Sequence, residues 1–291
     1  MDRTEWRIIS SAVDKIDRFL PRPLRRRRYS DRLIAKLYIW SVIHDRPRSW
    51  VCVREHFDDH FRPRRLPSIS RFSRRLRTRR LQTLLRLVND LVVQRDRPAP
   101  LAFFDGKPLP VSESTRDPEA KTGRGNGRFS RGYKLHALAA ADGRILACRV
   151  RPLNEGEPRI ARRLVGRVAP HAFVLADTNY DSNRLYQALA KRQAQLFTPQ
   201  KGRNLRRGRR RPMCEARRRV VDLWDHEPQR SQNIYRLRGT IERIFSALSS
   251  FAGGLAPLPA WVRRLRRVRL WVTAKLIYYH TRLLTREGRT L

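Results

Sequence analysis

The sequence predicts an α/β protein in two parts, an all-helical N-terminal region followed by a mixed-sheet domain. Three observations carry this. Apolar residues in the first hundred positions recur at helical spacing. At Pro98-Ala99-Pro100 the pattern changes to short aromatic and β-branched runs bounded by turn residues. Helical stretches sit among those runs and after them, as a layered sheet-and-helix architecture requires. The expected boundaries are 1–97 and 98–291.

In the first part, Trp6, Ile9, Val13, Ile16 and Leu20 mark one helix, and Leu33, Leu37, Trp40 and Ile43 mark a second. Ser30 or Asp31 caps that second helix, and Pro47 lies just past its end. A short helix is expected from Trp50 to Phe57. Pro67-Ser68-Ile69-Ser70 then opens a run with Phe72, Leu76, Leu81, Leu84, Leu85 and Leu87 as apolar positions. Arg71, Arg74, Arg75 and Arg77 project around its start. A short helix followed by an Arg-studded one fits a helix-turn-helix arrangement, with the second helix in the major groove of DNA. A helical bundle with a solvated basic face fits the same pattern. Cys52, His56 and His60 are spaced to stack on one helical face; they read either as soft metal ligands or as a helix end with solvent-facing histidines.

In the second part, strands are expected at Leu101–Phe104, Tyr133–Ala139, Ile145–Val150, Phe173–Ala176 and Gln195–Thr198. Helices are expected at Pro158–Val168, Ser182–Arg192, Asn233–Ser250 and Trp261–Arg282. Gly123, Gly125 and Gly127 read as a loop. Residues 200–219, which include Arg209, Arg210 and Arg211, read as a basic insertion facing phosphate.

Charge narrows the partners. The chain carries 66 Lys+Arg against 26 Asp+Glu, a formal charge of +40, and 58 of the cations are arginine. Self-repulsion of that size points to a polyanion as partner. At 40% hydrophobic residues the chain still has enough apolar surface for a core, which excludes a wholly disordered basic tail. Three scattered cysteines form no zinc-ribbon or disulfide pattern. With no run of 18 apolar residues and no signal-peptide pattern, the expected setting is soluble and intracellular.

Chemistry is expected at three carboxylates. Asp105 ends the run Leu-Ala-Phe-Phe, and Asp177 ends Phe-Val-Leu-Ala. An acid gains nothing from the core at such a place. If the two strands are neighbours, the acids converge, and hard oxygen ligands held close select Mg²⁺ or Mn²⁺. On a helix of about 100° per residue, Tyr235, Arg238 and Glu242 share one edge of the polar side of Asn233–Ser250. Glu242 is placed there to act as a third ligand.

These residues resemble the DDE transposases of bacterial insertion sequences, in the branch whose signature is Tyr, two residues, Arg, three residues, Glu, six residues, Lys. Tyr235, Arg238 and Glu242 match; Ser249 stands in the lysine position. Phe104-Asp105-Gly106-Lys107 resembles the first-aspartate block, and Arg131–Leu138, with Lys134, the second-strand block. Leu175–Ser182 resembles the second-aspartate block, with Asn179 where the family usually has glycine. The likeness covers roughly 100–285.

The resemblance implies an RNase H-like catalytic domain in which Asp105, Asp177 and Glu242 hold two divalent ions, Mg²⁺ with Mn²⁺ as substitute. It implies hydrolysis at the element ends followed by strand transfer into target DNA. Tyr235 and Arg238 would grip the phosphate backbone, with Lys134, Arg71, Arg74, Arg75 and Arg209–Arg211 as further DNA contacts. The partners implied are double-stranded DNA, as terminal inverted repeats and target, and a second copy in a homodimer on nucleoid DNA in the bacterial cytoplasm. Alternative readings are a metal-dependent DNA endonuclease that stops after hydrolysis, an inactive DNA-binding remnant, and an Arg-rich RNA-binding protein.

Overall fold

Apolar spacing in the first part of the chain produces helices in the computed structural model, which describes residues 2–21, 27–94, 96–112, 114–125, 127–200, 213–250 and 254–289. Helix α1 (Arg3–Phe19) buries Trp6, Ile9 and Val13. At its start the Asp2 amide donates to Glu5 Oε2 at 3.0 Å, satisfying a group that the helix leaves unpaired. Helix α2 (Asp31–Ile43) is capped by Ser30, whose hydroxyl accepts the Leu33 amide at 3.3 Å. Asp31 is instead buried, where it receives Arg27 at 2.9 Å, Arg80 at 2.7 Å and Arg75.

The helix expected over Trp50–Phe57 is two 3₁₀ turns, Trp50–Cys52 and Arg54–His56, separated by an extended Val53. Cys52, His56 and His60 therefore share no helical face. The His56 ring pairs with the Trp50 carbonyl at 2.7 Å, and His60 lies 3.1 Å from Asp58. The long run beginning at Ile69 is likewise two helices, α3 (Ile69–Arg75) and α4 (Arg79–Val92).

Helices α1, α2, α4 and α10 (Leu265–Arg286) pack on one another through Trp40, Leu84, Val88, Trp271 and Ile277. Residues 1–95 and 248–291 thus form one compact unit, and 96–247 the other. The expectation drew one domain over 98–291; by contact, 248–291 groups with the N-terminal helices. The apolar face of α10 finds its cover on the N-terminal helices.

The 96–247 unit is built on a six-stranded mixed sheet. Strand β3 (Arg128–Ala140) pairs antiparallel with β1 (Leu101–Pro110), β2 (Lys121–Gly125) and β4 (Ile145–Pro152). β1 also runs parallel to β5 (Phe173–Leu175), and β5 parallel to β6 (Gln195–Phe197). Lys121–Gly125, expected as loop, is strand because β3 supplies its partner.

Shorter helices accompany the sheet: α5 (Glu157–Ala161), α6 (Asn183–Ala190), α7 (Glu215–His226), α8 (Pro228–Arg236) and α9 (Gly239–Ser250). The helix expected over Asn233–Ser250 is broken between α8 and α9, where Gly239 opens a new helix. The segment expected as a basic insertion becomes helical at Glu215, and Arg217 clamps Asp181 through two contacts of 2.7 Å. Arg209, Arg210 and Arg211 lie outside the described residues.

Candidate active site

Parallel pairing of β1 with β5 sets Phe103 opposite Leu175. Asp105 and Asp177 each lie two residues beyond that pair, so the two acids expected to converge lie level with each other, Asp105 within β1 and Asp177 just past the end of β5. Asp105 does not end its strand. β1 continues to Pro110 because β3 pairs with it as far as Gly132.

Asp105 is largely buried. Its Oδ1 accepts the Gly106 amide at 2.8 Å, and its Oδ2 meets Arg238 Nη2 at 3.2 Å. Burial pushes its pKa up from 3.8 to about 6; Asp177 and Glu157 add to the rise, while Arg238 and the Gly106 amide oppose it. Asp177 caps a 3₁₀ turn, Thr178–Tyr180, accepting the Asn179 amide at 2.8 Å and the Asn179 side chain at 3.3 Å. The asparagine that replaces the family's usual glycine thus orients the carboxylate.

Arg238 falls in the break between α8 and α9. Its second terminal nitrogen, Nη1, reaches Glu242 Oε1 at 3.2 Å, so one guanidinium bridges Asp105 and Glu242. Glu242 is otherwise exposed, its side chain 70% accessible. Tyr235 is half-buried, edge-on to Trp224 at 6.0 Å, and Trp224 in turn stacks on Phe197 at 5.4 Å. Burial raises the Tyr235 hydroxyl pKa; Arg238 lowers it, and Asp177, Asp105 and Glu242 add to the rise. Tyr235 thus sits in the field of Arg238 and of the three carboxylates.

Asp105 and Asp177 fit a divalent cation by donor chemistry: hard oxygen ligands on adjacent strands, one forced toward its neutral form by burial and a like charge. Glu242 is held apart from them by Arg238, and no three metal-binding side chains close on a common point among the described residues.

The other expected DNA contacts separate. Arg71 and Arg74 are exposed on α3. Arg75 is committed to Asp31 and to the Tyr29 carbonyl at 3.0 Å. Lys134 is buried and paired with Glu157 at 2.8 Å.

Two neighbours were not legible in the sequence. Glu157 opens α5, and its Oε1 lies 2.8 Å from where a Cβ on Gly106 would stand. Tyr180 stacks beneath Phe104 at 6.0 Å, and its buried hydroxyl has no hydrogen-bond partner among the described residues. The only local signal was position, Glu157 just after a glycine and before a proline, and Tyr180 three residues after Asp177.

No curated protein matches the chain at a significant level. A piggyBac transposase, solved by cryo-electron microscopy in a synaptic complex with hairpin DNA, is similar in fold at a TM-score of 0.50 and 10% identity, over 100% of this chain and 74% of that one. The family model for the transposase DDE domain matches residues 96–279. That match spans the whole sheet and most of α10, so the chain belongs to the transposase DDE domain family and is an enzyme of DNA transposition.

Proposed function

We propose that the chain is the transposase of an insertion sequence, which cuts at the element ends and joins them to target DNA, with Asp105, Asp177 and Glu242 as its catalytic carboxylates. The observation that carries this is the β1–β5 register, which brings two acids from distant parts of the chain level with each other at the end of β5. A buried carboxyl with a pKa of about 6 beside a second acid is the electrostatic mark of a site made for a cation.

Two divalent ions, Mg²⁺ or Mn²⁺, would neutralise phosphodiester charge there and make bound water acidic. The chain's own residues do the rest. Asp105 and Asp177 present oxygen ligands, each oriented by a following amide. Arg238 exchanges Asp105 and Glu242 for a DNA phosphate, which releases Glu242 to join them. Tyr235 steadies the backbone beside it. Water attacks phosphorus in line and the 3′-oxygen leaves; the freed 3′-hydroxyl then attacks a target phosphodiester in the same way.

In the other unit, Arg71 and Arg74 on α3 belong to a helix-turn-helix-like element that reads the terminal inverted repeats. Two ends must be handled together, which favours a homodimer in the DNA complex. The working place is the nucleoid in the bacterial cytoplasm. No helix among the described residues is long and apolar enough to cross a membrane.

The test is cleavage and joining on DNA carrying the element's flanking ends, with Mg²⁺ or Mn²⁺, comparing wild type with Asp177→Ala. Joining that vanishes in the variant while DNA binding persists supports the proposal. Metal-dependent cutting without joining would make the chain an endonuclease. Binding with no chemistry in wild type would make it an inactive remnant.

A further inference from the structure

Within the helical unit lies a groove of about 390 Å³, walled by the turn after α2, by α3 and its C-terminal end, and by the start of α10. Arg46, Arg48, Arg77, Arg263, Arg266 and Arg267 line it, and among the described residues no aspartate or glutamate does. We propose that this groove is a second nucleic-acid site, which grips the sugar-phosphate backbone of duplex DNA away from the carboxylates. It rests on the proposed function only in taking DNA as the polyanion.

Charge placement is the first argument. Helix α10 opens at Leu265, carries Arg267 in its first turn and has no acid there. The start of a helix carries partial positive charge, so cations there are unfavourable unless an anion is bound. Arg48 shows the strain: burial lowers its pKa, and Arg267, Arg77 and Arg266 lower it further. Such mutual repulsion is relieved by phosphate, and the planar guanidinium fork matches phosphate oxygens in pairs.

Shape is the second. The volume is far larger than one anion needs, and the arginines come from three separate stretches of chain, so they can follow successive phosphates. Duplex is favoured over single strands because the lining offers little to stack on. Tyr38 and Trp271 are buried, which leaves Trp261, 42% exposed, as the accessible aromatic ring of the groove. One such ring suits a sugar edge; a run of unstacked bases needs a platform.

The test uses the full chain carrying Asp177→Ala, so that binding is read without cleavage. Affinity for a labelled duplex is measured across a salt series for the Arg77→Gln/Arg267→Gln variant. A charge-matched control, Arg3→Gln/Arg7→Gln, removes exposed cations from α1. The expected result is about tenfold weaker binding and a log–log salt slope shallower by about 2 for the groove variant alone, because each phosphate contact contributes about 0.9 to the slope. Arg77→Lys/Arg267→Lys restores the slope. Equal behaviour of groove variant and control would overturn the proposal, as would weakened single-stranded RNA binding with duplex binding unchanged. If the double variant unfolds at lower urea, Arg46→Gln, at an exposed position, carries the same test. Duplex binding can fail here while wild-type cleavage and joining succeed, so the two proposals fall separately.

Discussion

Arg238 stands 3.2 Å from Asp105, and the same guanidinium stands 3.2 Å from Glu242. One internal cation thus serves two of the three carboxylates proposed to be catalytic. Arg238→Gln removes it. Without DNA, Mn²⁺ should then bind about tenfold or more tightly, since a unit charge a few ångströms away is worth about 1–4 kcal/mol between bulk and protein-surface dielectrics. DNA cleavage should fall at the same time, because the backbone contact is lost. Calorimetric titration with Mn²⁺ and a strand-cleavage assay check the two halves; unchanged Mn²⁺ affinity would deny Arg238 its role as resident counter-ion.

Asp31 poses a simpler question. It is 4% exposed and surrounded by Arg27, Arg75 and Arg80. Asp31→Ala strands three guanidinium groups around an apolar gap and should cost about 3–5 kcal/mol of stability. The urea midpoint at constant slope measures this directly.

Acid sensitivity should trace in part to His136. Its ring is 1% exposed, neither nitrogen has a hydrogen-bond partner among the described residues, and burial together with Lys134 lowers its pKa to about 4. The unfolded chain titrates this group near 6.5, so between about pH 6.5 and 4 it binds more protons than the folded one, and folding stability falls as pH drops through that window. His136→Leu should lose less stability than wild type between pH 7 and 4.5. Equal losses in paired denaturation curves would assign the sensitivity elsewhere.

Gly132 sits where β3 meets the end of β1. A Cβ there would strike the Leu109 carbonyl and come within 2.9 Å of Pro110 Cα. Backbone fixed by sheet pairing cannot yield as a side chain would, so Gly132→Ala should cost about 1–3 kcal/mol. Gly166→Ala, where nothing lies within 4 Å, should stay within about 0.5 kcal/mol. Comparable melting of the two variants would contradict this.

Much of the sheet was legible because Leu101–Phe104 and Phe173–Ala176 are apolar runs with an acid at the end, and such runs have few other uses. Where glycine interrupts, the signal fails. Lys121–Gly125 has almost no side-chain pattern, and only its partner β3 makes it a strand. The break at Leu237–Arg238 was hidden for a different reason: apolar periodicity runs straight through it, from Ile234 to Leu248. The Arg238–Glu242 contact survives the break, being four residues apart. The pairing of Arg238 with Asp105 spans 133 positions and could be seen only in three dimensions. The ion pair of Lys134 with Glu157, 23 positions on, was likewise invisible in the sequence.

The helical unit is assembled from both ends of the chain, with α10 resting on α1, α2 and α4. During synthesis, α1, α2 and α4 emerge well before α10, so the face that α10 covers stays bare until α10 leaves the ribosome. The intervening 96–247 unit has all its strands and can pair them before that moment. Closing the helical unit then joins segments more than 150 residues apart, a slow, non-local step. Premature termination ahead of α10 would therefore release a chain with a formed sheet and, in its helical unit, an uncovered apolar face, a species prone to aggregate.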